Sequence, residues 1–183
     1  MSANEKSVIT EELRAWIGRT SPVQPLELLS ASDVRRYVDA TGDANPLWLD
    51  DDFARSLGHR GRLLPPLLVG WIPFSLKEQE ASDKLASFDL RRQLPVPENY
   101  TNVRNAGNET EWLKPVCLGE QLSSQSRIVD VVERRGKMGT GIYITQEERV
   151  FNREQDVVLL RRHTIALFPE HKFGDEEKTG GDR

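Results

Sequence analysis

The most apolar stretch of the chain is "LLPPLLVGWIPFSL", residues 63–76, and its length limits the folds that the sequence can adopt. It is shorter than the roughly 18 apolar residues that mark a membrane-spanning helix. Pro66 fits the first turn of a helix, whereas Gly70 and Pro73 weaken or kink a helix interior. The stretch therefore predicts one buried helix around which the rest of the chain packs.

On the C-terminal side of this helix the sequence first becomes polar and then alternates. Residues 77–106 are interrupted by prolines and predict a long excursion with some helix. From about residue 107 apolar and polar residues alternate with a period of two, which predicts long strands. The stretches "RRGKMG" (134–139) and "NREQD" (152–156) predict the turns between the last three strands.

The N-terminal side predicts short helices and one short strand. A helix extends from a cap at Thr10 to a stop at Gly18, and residues 23–29 follow as a strand. Residues 31–41 predict a helix whose first turn has the spacing of a capping box. Residues 51–57 predict a second short helix, with an aspartate before it as its cap.

One buried helix lying across an antiparallel sheet is an α+β arrangement, and the element order predicts a hot-dog fold, a curled sheet around a central helix. Residues 1–168 form this single domain, whereas the charged, glycine-rich residues 169–183 predict a disordered tail. Such a small sheet leaves an open edge, and pairing two sheets edge to edge covers it. We therefore expect a dimer of hot dogs.

The composition narrows the class of protein further. Among the 183 residues 37% are hydrophobic and 30% are charged, which is typical of a globular domain. Cys117 is the only cysteine, so an intrachain disulfide is excluded and a reducing compartment is indicated. The net charge of −4 argues against general nucleic-acid binding. Because the N-terminus also lacks the pattern of a secretory signal, we expect a cytoplasmic protein.

Two stretches carry a resemblance to a known family. The stretch "YVDATGDANPLWLDDDFA" (37–54), followed by "LLPPLLVG" (63–70), resembles the MaoC-like hydratase/dehydratase family. The branch that it resembles is the FAS1-like, or MaoC N-terminal, dehydratase domain. The stretch "KPVCLGE" (114–120) is similar to the family's "RPVxxGD", and the resemblance extends over residues 10–168.

The resemblance implies a reaction on acyl thioesters. In active members the loop reads G-D-x-N-P-x-H, and its aspartate and histidine hold one water that is added across the double bond of an enoyl thioester. Water is a poor nucleophile, so a base must take its proton while a second group protonates the substrate. A backbone N–H at the start of the central helix stabilises the enolate oxygen. The implied carrier is coenzyme A or an acyl carrier protein, with no metal and no other cofactor.

The catalytic loop departs from the family's pattern at one position. Asp43 matches the catalytic aspartate, and Asn45 and Pro46 match the residues that shape the turn. Trp48 stands where active members have histidine. An indole donates one N–H and accepts no proton, so it cannot act as the base. Asp43 then has either a structural or a supporting role.

A second departure lies at the site that should stabilise the enolate. The family's glycine near the start of the central helix corresponds to Pro66 here, and shifting the alignment by one residue places Pro65 there instead. Neither proline has an N–H to donate. Two separate parts of the catalytic machinery are therefore missing, which indicates loss of catalysis.

Other residues leave alternatives open. His59 is either a solvated loop histidine or a substitute for the missing base, acting together with Asp43. Trp71 and Phe74 either pack in the core or dimer seam, or line a hydrophobic acyl tunnel. The aspartates at 50–52 suggest a metal site, but helix capping explains them more simply. Three basic clusters offer charges for the phosphates of coenzyme A, with solvated surface charges as the alternative: Arg91–Arg92, residues 133–135 with Lys137, and Arg161–Arg162.

The leading hypothesis is a subunit of an enoyl-CoA hydratase or 3-hydroxyacyl dehydratase in fatty acid metabolism. This chain is its non-catalytic, acyl-binding half, and a hot-dog partner in a heterodimer or heterotetramer supplies the catalytic groups. One alternative is a homodimeric acyl-CoA-binding protein, and another is a homodimeric hydratase or thioesterase that uses Asp43 and His59. The expected substrate-binding residues are Asn45, Trp48, Pro65, Pro66, Trp71 and Phe74.

Overall fold

The computed structural model describes residues 7–70, 93–136 and 139–170. In these residues one antiparallel sheet has its strands in the order β1-β3-β4-β5-β2. The strands are β1 (Gln24–Pro25), β2 (Asn102–Trp112), β3 (Ser123–Gly136), β4 (Gly139–Phe151) and β5 (Val157–Phe168). The helices are α1 (Glu11–Arg14), α2 (Ala31–Thr41), α3 (Pro46–Leu49), α4 (Asp51–Ser56) and α5 (Pro66–Gly70). The predicted α+β arrangement is confirmed.

The predicted meander of three long strands, β3-β4-β5, is also confirmed. The turn at 152–156 is closed by Asn152, whose side-chain oxygen accepts the Asp156 N–H at 2.8 Å. The turn between β3 and β4 is tighter than the stretch 134–139, because Gly136 and Gly139 already pair across it. Residues with strand propensity on both sides of a short connection are enough to place such hairpins from sequence.

The prediction that residues 77–106 form a polar excursion is wrong at its end, because β2 begins at Asn102. The part of that stretch from 77 to 92 lies outside the described residues. Among the described residues β2 pairs with β5 alone, and nearly all its side chains are exposed on both faces. No alternation of apolar residues therefore indicates this strand in the sequence. Asn105 and Gly107 flank a break in register, which marks a bulge in this edge strand.

The helix α2 forms where the sequence predicts it. Ser30 and Asp33 form a complete capping box, and Gly42 ends the helix in the left-handed region with φ at 73°. The first helix is shorter than predicted, because after Arg14 the chain continues in tighter turns to Gly18. The predicted strand 23–29 is reduced to the two residues of β1, and α3 was not predicted as a separate helix.

The predicted buried helix at 63–76 begins only at Pro66, and its residues 71–76 lie outside the described residues. Leu63 instead pairs with Cys117 in an isolated bridge, and the Leu64 N–H donates to the Val116 carbonyl at 2.8 Å. A residue that precedes proline is pushed out of the helical region, and Leu64 precedes Pro65. The diproline therefore sets the start of α5.

Two apolar clusters share one face of the sheet, which we call the inner face. One cluster contains Trp48, Val69 and Leu159, and the other contains Ile142 and Ile144. The first cluster joins α2, α3 and α5 to the sheet, so the loop that resembles a catalytic site is part of the core. In the described residues no helix is long and apolar enough to cross a membrane.

Candidate active site

The loop that follows α2 fixes the position of Asp43. Gly42 reverses the chain, and the Asp43 N–H donates to the Thr41 hydroxyl at 3.3 Å. The same hydroxyl donates to the Tyr37 carbonyl at 2.7 Å, one turn back in the helix. Asp43 is an exposed residue, but the hydrogen bond to Thr41 holds its backbone N–H in place.

Asn45 and Pro46 start the next helix. The Asn45 side chain accepts the Leu47 N–H at 3.0 Å, and Pro46 fills the first helical position, where no N–H is needed. These two residues therefore have the turn-shaping role that the family pattern implies. Their cap orients α3 so that Trp48, in its third position, points back toward the loop.

Trp48 is the residue that joins the loop to the core. Its side chain is only 8% exposed and belongs to the cluster that includes Leu63, Leu64 and Val69. Its indole N–H donates to the Asp43 carboxylate at 3.1 Å. The structure thus brings together the two residues that match the catalytic pair. In their hydrogen bond the indole N–H is the donor and the carboxylate is the acceptor. An indole in this position offers no lone pair for a proton of water.

The diproline lies close to this loop. The Leu63 N–H donates to the Leu47 carbonyl at 2.8 Å and ties the chain before Pro65 to α3. Pro65 is fully buried, whereas Pro66 is exposed at the first position of α5. Since proline has no N–H, neither residue provides a donor at the point where the family stabilises an enolate oxygen.

Trp112 covers the same turn from the end of β2. Its indole N–H donates to the Pro66 carbonyl at 2.7 Å, although 45% of the residue remains exposed. Beside it opens a cavity of about 240 Å³ whose walls are mostly apolar. The cavity is lined by Leu64, Pro66, Val69, Trp112, Leu113, Lys114, Pro115, Val116 and Val158.

Lys114 is the charged side chain in this lining. Its ammonium lies 2.7 Å from the Asp156 carboxylate, and this hydrogen bond lowers the pKa of Asp156 below its ordinary value. Because Lys114 is already neutralised, the cavity favours an apolar guest with at most a polar group at its mouth.

The comparisons with known proteins show the family of the chain. The family model described as "FAS1-like, dehydratase domain region" matches residues 15–161, which is most of the chain. The chain belongs to this family. The resemblance to MaoC-like dehydratases is thereby confirmed.

A relative and two solved structures extend the finding. A probable enoyl-CoA hydratase alpha subunit from Thermomonospora curvata is 25% identical over 177 residues; the match covers 92% of this chain and 54% of that relative. The chain therefore spans about half the length of this curated relative. A structure of the ChsH1-ChsH2 complex from Mycobacterium tuberculosis matches with a TM-score of 0.66 and 23% identity, over 86% of this chain and 92% of that one.

The second structure is the C-terminally truncated HadBC (3R-hydroxyacyl-ACP dehydratase) complex from Mycobacterium tuberculosis. It matches with a TM-score of 0.57 and 17% identity, over 82% of this chain and 96% of that one. At these identities the likeness concerns the fold, and it confirms the predicted hot-dog fold.

Within this FAS1-like dehydratase domain, His59 is not joined to Asp43. It follows α4, where its backbone N–H donates to the Ala54 carbonyl at 3.1 Å. Among the described residues no hydrogen bond or ion pair links its imidazole to the Asp43 carboxylate, which instead accepts the indole of Trp48. Trp71 and Phe74, the other expected acyl-binding residues, lie outside the described residues.

The aspartates at 50–52 have structural partners. Asp50 caps α4 by accepting the N–H groups of Asp52 and Phe53 at 2.8 and 3.0 Å. Asp51 accepts the Arg62 N–H at 3.0 Å, and this bond lowers the pKa of Asp51. The capping interpretation therefore accounts for this acidic run.

A larger cavity of about 460 Å³ next to α4 is charged rather than apolar. Two of the four arginines that line it are paired with acids: Arg62 lies 3.1 Å from Asp51, and Arg60 lies 3.4 Å from Glu120. Such neutralised pairs leave little charge for a phosphate. Of the basic clusters suggested for coenzyme A, Arg161 and Arg162 pair with glutamates of β4 in the same way.

Two features of the site were missed from the sequence. Trp112 was assigned to a strand, and only its place directly before "LKPV" could have linked it to the site. A buried polar group on the inner face was also missed: the Gln146 amide donates to the Ser126 hydroxyl at 3.1 Å. Within the described part of the chain, Gln146 Oε1 and the Ser124 hydroxyl have no hydrogen-bond partner. Alternation in β4 predicts which positions are buried but gives no reason for a glutamine there.

Proposed function

We propose that this chain is the non-catalytic, acyl-binding half of a heteromeric enoyl-CoA hydratase or 3-hydroxyacyl dehydratase. The observation that carries the proposal is the hydrogen bond from the Trp48 indole to the Asp43 carboxylate. It joins the two residues that match the family's catalytic pair, and the indole offers no group that takes a proton from water. Pro66 also lacks the backbone N–H that would stabilise an enolate oxygen, which supports the same proposal.

The apolar cavity is the proposed slot for part of the acyl group. Pockets for whole drug-sized ligands have about 300–1,000 Å³, so the 240 Å³ present in this chain suits one portion of a substrate. Pro66, Val69 and Trp112 are among the residues that line it. Pro65, Trp71 and Phe74 extend this acyl-binding surface in the proposal, with Asn45 and Trp48 supporting it from the loop.

The remaining groups come from a second hot-dog chain in this proposal. The similar proteins support it: the relative from Thermomonospora curvata is a probable alpha subunit, and the two solved structures are complexes. The partner contributes the aspartate, the histidine and the backbone donor that this chain lacks, and the thioester is carried by coenzyme A or an acyl carrier protein. No further cofactor enters the proposed reaction.

The proposal is tested with a hot-dog chain that carries an intact G-D-x-N-P-x-H loop and is encoded beside this one. The two chains are co-expressed, and hydration of crotonyl-CoA and longer enoyl-CoAs is followed by loss of the enoyl absorbance. Asp43→Asn in this chain should leave kcat within about twofold. The matching substitution in the partner should lower kcat by about a hundredfold or more, the scale of general acid–base catalysis.

Two results would contradict the proposal. If this chain alone hydrates enoyl-CoA, and Asp43→Asn or His59→Gln abolishes that activity, the homodimeric enzyme is correct instead. If the chain binds acyl-CoA as a homodimer, and no co-expressed hot-dog chain associates with it, it is an acyl-CoA-binding protein without catalysis.

A further inference from the structure

Polar side chains interrupt the inner face of the sheet between the two apolar clusters. On β4 every second residue points to this face; Val150 belongs to the first cluster and Ile144 to the second. Between them, at the same spacing, lie Gln146 and Glu148, and both residues are buried. The alternation that should continue the core therefore places two polar groups in it.

The neighbouring strands extend these polar positions across the sheet. On β5 the residues opposite Gln146 and Glu148 are His163 and Arg161, and on β3 Ser126 lies opposite Glu148. Residues directly opposite each other on neighbouring strands share one face. We call this set the polar belt: Ser126, Gln146, Glu148, Arg161 and His163.

Stability of the fold does not by itself explain the polar belt. Arg161 lies 3.5 Å from Glu148 and also donates to the Gly70 carbonyl, so its charge is matched. A partly buried ion pair of this kind is often no more stable than apolar side chains of similar volume. Apolar residues at these positions would join the two clusters into one core. Positions that break the local pattern in this way are expected at functional sites.

Gln146 is the residue of the belt whose hydrogen bonds are incomplete. It is only 7% exposed, and its amide N–H donates to the Ser126 hydroxyl at 3.1 Å. Within the described part of the chain, the oxygen of the same amide has no hydrogen-bond partner. A buried amide oxygen without a donor is unfavourable, because it has lost its hydrogen bonds to water. The belt therefore lacks one donor at Gln146.

The polar belt begins directly beside the apolar cavity. A Cβ atom placed on Gly70 would lie 4.0 Å from the Trp112 ring, which lines the cavity, and 4.0 Å from the Arg161 guanidinium. Leu159 pairs with Trp112, and at about 3.4 Å per residue Arg161 lies about 7 Å and His163 about 14 Å further along β5. A chain that continues from the cavity along the inner face would reach the belt within this distance.

We propose that the polar belt binds a hydroxyl group on the acyl chain of the substrate, far from the thioester, and that this hydroxyl donates to the amide oxygen of Gln146. The proposal rests on the proposed function, since it takes the acyl thioester as the ligand. It adds the substrate class: acyl groups with a hydroxyl beyond the part held in the cavity, in preference to plain alkyl chains. A methylene at the same place would leave the buried oxygen unpaired, and sites built to bind a hydroxyl reject such analogues.

The experiment compares the binding of plain and hydroxylated acyl-CoAs to the full chain, purified with the hot-dog partner encoded beside it. The probes are dodecanoyl-CoA and its three forms with a hydroxyl at C8, C10 or C12. They are saturated, so no hydration follows binding, and titration calorimetry gives each dissociation constant. At least one hydroxylated form should bind about tenfold more tightly than dodecanoyl-CoA, the effect of one buried hydrogen bond.

Substitution of Gln146 tests whether this residue causes the preference. Gln146→Leu should abolish it, because an apolar side chain of similar size replaces the acceptor, and Gln146→Met serves the same purpose if circular dichroism shows that Gln146→Leu does not fold. Thr145→Val is the matched control. It removes a polar group from the next residue of β4, on the opposite face of the sheet, where the Thr145 and Thr164 hydroxyls lie 2.9 Å apart. It should leave the preference at about tenfold.

Two outcomes would overturn the inference. One is equal binding of all four probes by the parent protein; hydration of enoyl-CoAs by the complex would still support the proposed function. The other is a preference that persists in Gln146→Leu, which would place the hydroxyl elsewhere. A preference that depends on Gln146 in a homodimer, with no hot-dog partner bound, would support the inference while contradicting the heteromeric enzyme.

Discussion

Trp48 and Trp112 both lie at this site. Each donates a hydrogen bond from its indole N–H, but the two acceptors differ. Trp48 donates to a carboxylate and is almost fully buried, whereas Trp112 donates to the Pro66 carbonyl and stays half exposed. Trp48 stands where the family pattern has a histidine, and its side chain is part of the core. Trp112 fixes the start of α5 and forms a wall of the apolar cavity. The loop that contains Trp48 is part of the core, whereas the surface around α5 is accessible to ligands and partners.

The largest effect should come from removing the buried ring. Trp48→Ala empties a space in the first apolar cluster and should lower the free energy of unfolding by about 3–5 kcal/mol, as for other large-to-small core changes. Urea unfolding followed by circular dichroism measures it. Trp48→Phe is the control, since it retains an aromatic ring but is smaller and has no N–H, so it should cost less than Trp48→Ala. A loss below about 1 kcal/mol in Trp48→Ala would mean that the loop is not part of the core.

Removing the half-exposed ring of Trp112 should have a smaller effect on stability and a clear effect on substrate binding. Trp112→Ala loses the hydrogen bond to Pro66 and part of a half-buried surface, so unfolding should be easier by about 1–2 kcal/mol. Because the ring is also a wall of the cavity, KM for long enoyl-CoAs should rise more than KM for crotonyl-CoA in the co-expressed complex.

The control for this second prediction is Trp112→Phe, which retains an apolar wall without the N–H. If Trp112→Ala and Trp112→Phe raise KM equally for all chain lengths, the ring orients α5 but does not contact the acyl group. The cavity would then lie outside the path of the substrate.

The difference between the two tryptophans also explains what could be predicted from sequence. Trp48 lies five residues from Asp43, within a motif whose turn chemistry is local, so its replacement of a base could be inferred from the residue types. The contact of Trp112 joins residues 46 positions apart and depends on where β2 pairs. β2 itself was placed too late because an edge strand exposed on both faces has no apolar alternation.

The same distinction holds for the rest of the fold. The helix α2 was predicted with its bounds because its capping box and its final glycine are adjacent signals. The start of α5 was placed three residues too early, since an apolar run does not reveal that the chain pairs with Cys117 before it turns helical. The boundary at residue 168, the disordered tail and the cytoplasmic location stay predictions.

The smallest effect should come from the carboxylate of Asp43, which matches the catalytic aspartate of the family pattern. Asp43→Ala leaves the indole N–H of Trp48 without its acceptor and should lower the free energy of unfolding by about 1 kcal/mol. Asp43→Asn keeps an oxygen in the same place, so it should cost only about half as much. Both differences are measurable as shifts in the urea midpoint at constant slope. Asp43→Ala could instead prove more stable than the parent while Asp43→Asn does not. The carboxylate would then lower the stability of the fold, which is the behaviour of a group retained for function.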